Sequence, residues 1–406
     1  MNKNIWMINE YAGSPYHGMT YRHYYLAKEL VKLGCKVTIF TSSFSHYTLK
    51  PHLQVQQTFT KENIDGIDFV WVKMPPYSAP KSFGRIRNWF LFALKLFFLP
   101  FLKLEKPDAI LASSLPLHPI IPARALANRY QAKLIFEVRD IWPLSAIELG
   151  GYSTHNPFIK HLQWLEDFAY KKSDAVVSVL ANAYEHMQTR GLEESKFYYI
   201  PNGVVREQVE HKELLDTKTL AQMPQEKFIV GYMGTFGVAN ALDSFIEAAK
   251  ILKEQNSIAF VLVGDGAQKE KLLALAENCN NISFVDSVQK DQVPSVLHYF
   301  DVCYIGLKHD PLFRYGVSPN KLFDYMYAAK PILYAIDSGN FKPVSTIHGG
   351  LDVESENPQA IVNGVLKLYN MAQEEREAMG RNSYKYVLEN HDYKNLAKQL
   401  LKVIEK

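Results

Sequence analysis

The residues from Arg314 to Asp324 have the types and spacing of an anion site. Arg314 and Gly316 come first, then Ser318-Pro319-Asn320-Lys321, then Leu322 and, one turn further on, Asp324. The amphipathic pattern that follows predicts a helix, with Ser318 as its N-cap and Pro319 at the first helical position. The first turn of a helix has unpaired N–H groups and a partial positive charge, so a phosphate fits there. Lys321 would add a full charge. The same residues would also make an ordinary capped helix start. Asp324 could then serve the helix dipole as readily as a ligand hydroxyl.

The surrounding elements favour a ligand. Short apolar runs alternate with amphipathic stretches along the whole chain: IWMI, KVTIF, FVWV, AILA, KLIFEV, AVVSV and YYI, then FIVGYMG, AFVLVG, ISFV, VCYIG and PILYA. Stretches such as Tyr21 to Leu33 and Pro157 to Tyr170 read as helices between them. Apolar runs alternating with helices indicate parallel sheets covered on both faces, hence two doubly wound α/β domains. Ligands of such sheets sit beyond the carboxyl ends of the strands. Polar or glycine-bearing loops fall at these ends: Gly13 and Gly18 after the first run, Gly234-Thr235-Phe236-Gly237, Gly264 to Gly266, the RDIWPLSAIELG stretch with Asp140 and Glu148, and the SPNK stretch. This coincidence points to a nucleotide-diphosphate site.

Other chemistries lack their signatures. No GxGxxG follows the first strand, no GxxxxGK[ST] occurs, and no GxSxG elbow is present. His118 in LPLHPII reads as a packed core histidine, and His309-Asp310 and His391-Asp392 read as surface turns. With 406 residues the chain exceeds one typical core, and its 47% apolar content suits packed domains. The net charge of +3 gives no argument for nucleic acid. Three dispersed cysteines, Cys35, Cys279 and Cys303, fit a reducing cytosol and form no zinc motif. The N-terminal apolar run is too short for a signal peptide and reads as a strand.

One segment is unusual, RIRNWFLFALKLFFLPFLKLEK from Arg85 to Lys106. From Trp89 to Leu102 only Lys95 is charged. That is short of the roughly 20 apolar residues needed to span a bilayer. A basic, aromatic-rich segment of this kind can lie in a membrane interface, and it can equally be a buried helix with Lys95 snorkelling. Pro100 should end or kink any helix there.

The motifs GYMGTFGVANALDSFIEAA, FVLVGDGAQKEKLL, SPNKLFDYMYAAKPIL and IPNGV resemble, in order and spacing, the family 4 retaining glycosyltransferases of GT-B fold. FEVRDIWPLSAIELG is similar to the branch that transfers N-acetyl-L-fucosamine to O-antigen or capsule precursors. The resemblance implies two Rossmann-like domains whose sheets face a cleft. Residues 1–205 would bind the acceptor, residues 206–385 the nucleotide sugar, and residues 386–406 would cross back to the first domain. It implies a UDP-sugar donor, no cofactor and no metal. The acceptor would be a polyprenyl-diphosphate-linked oligosaccharide, reached at the cytoplasmic face of the membrane through residues 85–106.

In this resemblance Gly18, Gly234, Thr235, Gly237, Gly264, Arg314, Ser318, Asn320, Lys321, Leu322 and Asp324 fall at the nucleotide-sugar site. Lys321 would stabilise the leaving diphosphate, and Asp324 would bind ribose hydroxyls. Asp140, with Glu148 second, would orient the acceptor hydroxyl or the sugar. The chain departs from the family pattern where Gly316 replaces an acid, where Thr235 and Asn240 replace a basic pair, and where Arg139-Asp140 replaces His-Asp. A nucleotide-sugar epimerase of the same architecture and a non-catalytic nucleotide-sugar-binding module are the alternative readings.

Overall fold

The computed structural model describes residues 3–53, 55–79, 82–206 and 213–406. The chain forms two units, one of Met1–Asn202 with Tyr393–Lys406, the other of Gly203–Asp392.

In the first unit the apolar runs become β1 (Asn4–Ile8), β2 (Lys36–Ser42), β4 (Ile67–Val72), β5 (Ala109–Ser113), β6 (Lys133–Val138), β7 (Ala175–Ser178) and β8 (Phe197–Tyr199). They pair in parallel and, with an edge strand β3 (Phe59–Ile64), form one sheet of order β3-β4-β2-β1-β5-β6-β7-β8. β1 and β5 are buried along their whole length, as strands covered on both faces must be. The order reverses at β1: β2 and β4 lie on one side of it, and β5 to β8 run outward on the other. The apolar pattern did not mark β3 (Phe59–Ile64), which pairs antiparallel with β4 at the sheet edge. Its sequence FTKENI is largely polar because an edge strand is only partly covered. The Asp65-Gly66 turn joins it to β4 with both residues at positive φ, the hairpin geometry such a dipeptide favours.

The second unit has β9 (Phe228–Met233), β10 (Ile258–Val263), β11 (Ile282–Val285), β12 (Val302–Gly306), β13 (Ile332–Ala335) and β14 (Gly350–Asp352). All pair in parallel, in the order β11-β10-β9-β12-β13-β14. Alternate side chains divide between two apolar clusters. Ile229, Val261, Val263, Cys303 and Ile305 lie in one, and Val230, Tyr232, Phe260, Leu262 and Tyr304 in the other. Here the order reverses between β9 and β12.

Several expectations need correction. The helix after Ser318 runs Asn320–Tyr327, with Pro319 at its cap position and no side-chain cap bond, so Ser318 is not the N-cap. Leu322 is fully buried among Ile305, Phe323 and Met326, so its side chain belongs to the core and cannot line a ligand site. His391 is also buried: it stacks on Phe323, ring centroids 4.3 Å apart, and its carbonyl accepts from the Val204 N–H. It is therefore not a surface turn. A long helix continues from Gln373 to Asn390, past residue 385, and the final helix begins at Tyr393.

The segment from Arg85 is two-sided. The helix Phe83–Leu96, capped by the Ser82 side chain, buries Asn88, Trp89, Phe92, Ala93 and Leu96. A 3₁₀ turn at Leu99–Leu102 follows at Pro100. Phe90, Leu94, Phe97, Phe98 and Phe101 remain exposed. Trp89 is part of the core and does not belong with the exposed rings. Among the described residues no helix is long and apolar enough to cross a membrane.

Candidate functional site

The loops after β9, β10 and β12 bring together residues far apart in sequence. Lys321 stands on the first turn of the helix Asn320–Tyr327. Its ammonium donates to Tyr232 Oη at 2.6 Å and to Asn240 Oδ1 at 3.0 Å, and lies 4.3 Å from the Tyr232 ring centroid. Tyr232 Oη donates in turn to the Thr235 carbonyl at 2.8 Å, which also accepts from Asn240 Nδ2 at 3.0 Å. Lys321 is thus fixed by a closed set of neutral groups.

Glycine makes this closeness possible. A Cβ at Gly234 would stand 3.1 Å from Lys321 Nζ, and one at Gly264 would stand 2.0 Å from the Gly234 carbonyl oxygen. Both residues also have positive φ, which glycine alone adopts without strain. Among the described residues no carboxylate lies within ion-pair distance of Lys321. Burial pushes its ammonium down to about 8, so it is still mostly charged at neutral pH. Burial likewise pushes the half-buried Asp324 carboxyl up to about 6, against the pull of Lys290. A full positive charge and the positive end of a helix therefore meet beside bare backbone, at the point where the strand order reverses. That combination suits a diphosphate.

The remaining candidates are placed as follows. Thr235 and Asn320 are exposed, and Gly237 and Ser318 half-buried, on the same loops. Arg314 is anchored to its own turn, donating to the Pro311 carbonyl at 2.6 Å and to Tyr315 Oη at 2.8 Å. Gly18, Asp140 and Glu148 belong to the first unit. Gly18 lies in the loop after β1 at positive φ. Both oxygens of Asp140 are engaged locally, one by Ser145 Oγ at 2.5 Å and the other by Trp142 Nε1 at 3.1 Å. That is the geometry of a loop brace. Glu148 is exposed at the end of a short helix.

Sequence reasoning overlooked a buried ionic cluster in the first unit. Glu137, inside β6, accepts from Arg22 Nε at 2.9 Å and from Ser113 Oγ at 2.8 Å, and His23 Nε2 lies 3.2 Å from it. Burial alone would raise this carboxyl. Arg22, His23 and Arg139 outweigh that effect and hold it well below the usual carboxylate range. Arg22 also donates to the Ile200 carbonyl at 2.8 Å and to the Pro201 carbonyl, tying the start of the first helix to the end of β8. The one legible signal was an acid inside the apolar run KLIFEV, which a buried strand tolerates only with partners. Of the two residues that hold Lys321, Tyr232 carried no signal of its own, and Asn240 was marked only as a departure from the family's basic pair.

Comparison with known proteins agrees with this architecture. Residues 17–203 match a glycosyl transferase 4-like domain, and residues 219–386 match the glycosyl transferases group 1 domain. An uncharacterized glycosyltransferase of Methanocaldococcus jannaschii, MJ1069, is 24% identical over 243 residues, covering 58% of this chain and 59% of that protein. The putative colanic acid biosynthesis glycosyl transferase WcaI of Escherichia coli K12 is 24% identical over 268 residues, covering 63% and 65%. The chain thus spans about three fifths of the length of these curated relatives. Among solved structures, sucrose-phosphate synthase of Thermosynechococcus elongatus superposes with a TM-score of 0.73 at 14% identity, covering 100% of this chain and 98% of that one. Anabaena HepE in complex with UDP and glucose gives 0.66 at 13% identity, covering 100% of both chains. Through its two successive domains, the chain belongs to the glycosyltransferases of GT-B type.

Proposed function

We propose that this protein is a retaining glycosyltransferase that moves a sugar from a UDP-sugar to a lipid-linked oligosaccharide during assembly of a surface polysaccharide such as O-antigen or capsule. The observation that carries the donor half is Lys321, a half-buried cation held by Tyr232 and Asn240 against Gly234 with, among the described residues, no carboxylate to neutralise it. HepE, bound to UDP and glucose, and the E. coli trehalose-6-phosphate protein bound with UDP-2-fluoro glucose share the fold and support UDP as the carrier. WcaI, described as a putative colanic acid enzyme, supports the polysaccharide setting. N-acetyl-L-fucosamine is the sugar to which the sequence resemblance points.

Breaking the bond from the anomeric carbon to phosphate builds negative charge on the leaving diphosphate. Donors already in place there lower the barrier without reorganising. Lys321 would bear that charge, with the first-turn N–H groups of its helix and the Gly234–Gly237 backbone beside it. In this reading Asp324 holds ribose hydroxyls, and no metal is needed because the cation is built in. The acceptor half rests on the exposed rings Phe90, Phe97, Phe98 and Phe101 with the basic Arg87, Lys103 and Lys106 in the same segment, a pairing suited to an anionic bilayer surface.

Radiolabelled UDP-sugars, run with and without a polyprenyl-diphosphate-linked saccharide, test the reading directly. Label should pass to the lipid, undiminished in EDTA. Epimerised donor without transfer, bound donor left unchanged, or strict dependence on added manganese would each refute the corresponding part.

Lys321→Ala and Lys321→Met should both fold, lower turnover roughly 100-fold, and weaken UDP binding by roughly 10- to 100-fold. Calorimetry beside a thermal melt reads this. Wild-type affinity in a folded Lys321→Met protein would move the clamp elsewhere, with Arg314 next in line.

The pH dependence follows from the same lysine. UDP prefers the charged ammonium, so affinity should hold steady between about pH 6, where Asp324 titrates, and about pH 8, and decline as pH rises through the upper value. The decline should approach tenfold per pH unit, roughly 1.4 kcal/mol. Lys321→Arg, which keeps its proton, should flatten the profile. A wild-type profile level to pH 10 would contradict the assignment.

On the membrane side, changing Phe97, Phe98 and Phe101 to Ser should leave the melt unchanged and release the protein from anionic vesicles in a flotation assay. Each half-exposed ring that leaves the interface forfeits roughly 1 kcal/mol. Vesicle binding unchanged in the triple variant would defeat the interfacial reading.

A further inference from the structure

Two histidines of the first unit, which the sugar-transfer reading does not use, stand nitrogen to nitrogen. His118 follows β5 and lies two residues before the helix Ile120–Tyr130, and His161 lies one turn into the helix Pro157–Lys172. His118 is only 4% exposed, and His161 is half-buried. Aromatic rings wall the pair. Phe90, from the helix Phe83–Leu96, has its ring centroid 4.2 Å from that of His118 and is stacked on His161 at 5.7 Å. Trp164, stacked on His161 at 6.0 Å, is exposed.

The contact between the two imidazoles is unusual for a hydrogen bond. Burial drives the His118 ring down to about 3 and also pushes the His161 ring down, so both are neutral at neutral pH and each keeps a lone pair on one nitrogen. Their Nε2 atoms are 3.3 Å apart. An N–H donor settles about 2.9–3.0 Å from its acceptor, so this contact is long. His118 Nδ1 is buried and has no hydrogen-bond partner among the described residues, so nothing on that side of the ring fixes its tautomer.

The spacing is that of two ligands on one ion. Ring nitrogens held about 2.0–2.1 Å from a tetrahedral metal stand roughly 3.3 Å apart, and the two ring centroids then stand roughly 5.2 Å apart. The observed separations are 3.3 Å between the nitrogens and 5.2 Å between the centroids. The donor set selects the metal. Mg²⁺ and Ca²⁺ prefer oxygen ligands, whereas neutral imidazole suits zinc, copper and nickel. Among the described residues no group of three or more His, Cys, Asp or Glu side chains is placed to hold an ion. Water would therefore fill the remaining positions, entering from the side on which Trp164 is exposed.

We propose that His118 and His161 form an open binding site for a transition-metal dication of the zinc type. Each imidazole gives its Nε2 lone pair to the ion. The ion ties the start of the helix Ile120–Tyr130 to the helix Pro157–Lys172, two elements otherwise joined here only by ring packing and one long contact. Its effect is on the stability of the first unit. It enters no step of sugar transfer, so transfer in EDTA does not bear on it.

The test uses the full chain, stripped with EDTA and desalted, then titrated with Zn²⁺ and, as an optical probe, with Co²⁺. The wild type should show the intense visible absorption of tetrahedral Co²⁺, and Zn²⁺ should displace it. Zn²⁺ should also raise the melting temperature by roughly 3 °C, while Mg²⁺ at the same concentration should not. His161→Phe keeps a ring in the aromatic stack and removes one ligand. His118→Leu fills the buried position and removes the other. Both should melt like the wild type without metal, and both should lose the Co²⁺ band and the Zn²⁺ shift. Zn²⁺ affinity should fall at least about tenfold in each, since even a partner outside the ligand set is commonly worth that much. A Co²⁺ band and a Zn²⁺ shift that persist in His161→Phe would assign the metal to other histidines and overturn the proposal. Absence of both from the wild type overturns it too, as does an equal shift with Mg²⁺.

Discussion

A parallel strand covered on both faces can offer polar chemistry only where it ends, and this constraint governs the whole molecule. β1, β5, β10 and β12 are buried from first residue to last. Functional groups are therefore displaced to the loops beyond the carboxyl ends. They collect where the strand order reverses, because there the connecting helices leave to opposite faces and the loops part. Gly234 and Lys321 flank the reversal in the second unit. The exception supports the rule: Glu137 sits inside a strand, and Arg22, His23 and Ser113 surround it with the partners that a buried carboxylate needs.

Lys321 illustrates how a charge is kept available. An ammonium paired with a carboxylate has its field cancelled before any ligand arrives. Here the partners are a phenol oxygen, an amide oxygen and an aromatic face, which fix its position while no carboxylate among the described residues compensates its charge. The helix terminus adds about half a unit of like sign. The substitution of Thr235 and Asn240 for a basic pair gains a physical sense from this. Asn240 does not replace a cation; it holds one, and Thr235 supplies the carbonyl that completes the arrangement.

Much of the fold was legible because its signals are local. Unbroken apolar runs marked nearly every strand, and the amphipathic pattern marked Tyr21 to Leu33 and Pro157 to Tyr170 as helices, which form as Arg22–Lys32 and Pro157–Lys172. β3 escaped because a polar edge strand has no such run, and the Asp65-Gly66 dipeptide at its turn went unread. His391 was misread because a His-Asp pair between helices resembles an exposed turn. Only packing against Phe323 reveals it as core. Ser318 was misassigned as a cap because Ser-Pro is a common helix start, whereas the chain enters this helix one residue later.

The sequence by itself determined the α/β class, the two-part organisation and the loops in which polar groups would gather, since each depends on residues within a turn or two of one another. Tertiary structure alone decided which of those groups meet. Lys321 and Tyr232 are 89 residues apart and Arg22 and Glu137 are 115 apart, and each pair is joined only because the fold sets the helix that carries one beside the strand that carries the other. Burial is settled at the same level. Whether an acid such as Asp324 or a lysine such as Lys321 keeps its charge depends on how much water the surrounding chain excludes, a property of the assembled fold that no local run of residues carries.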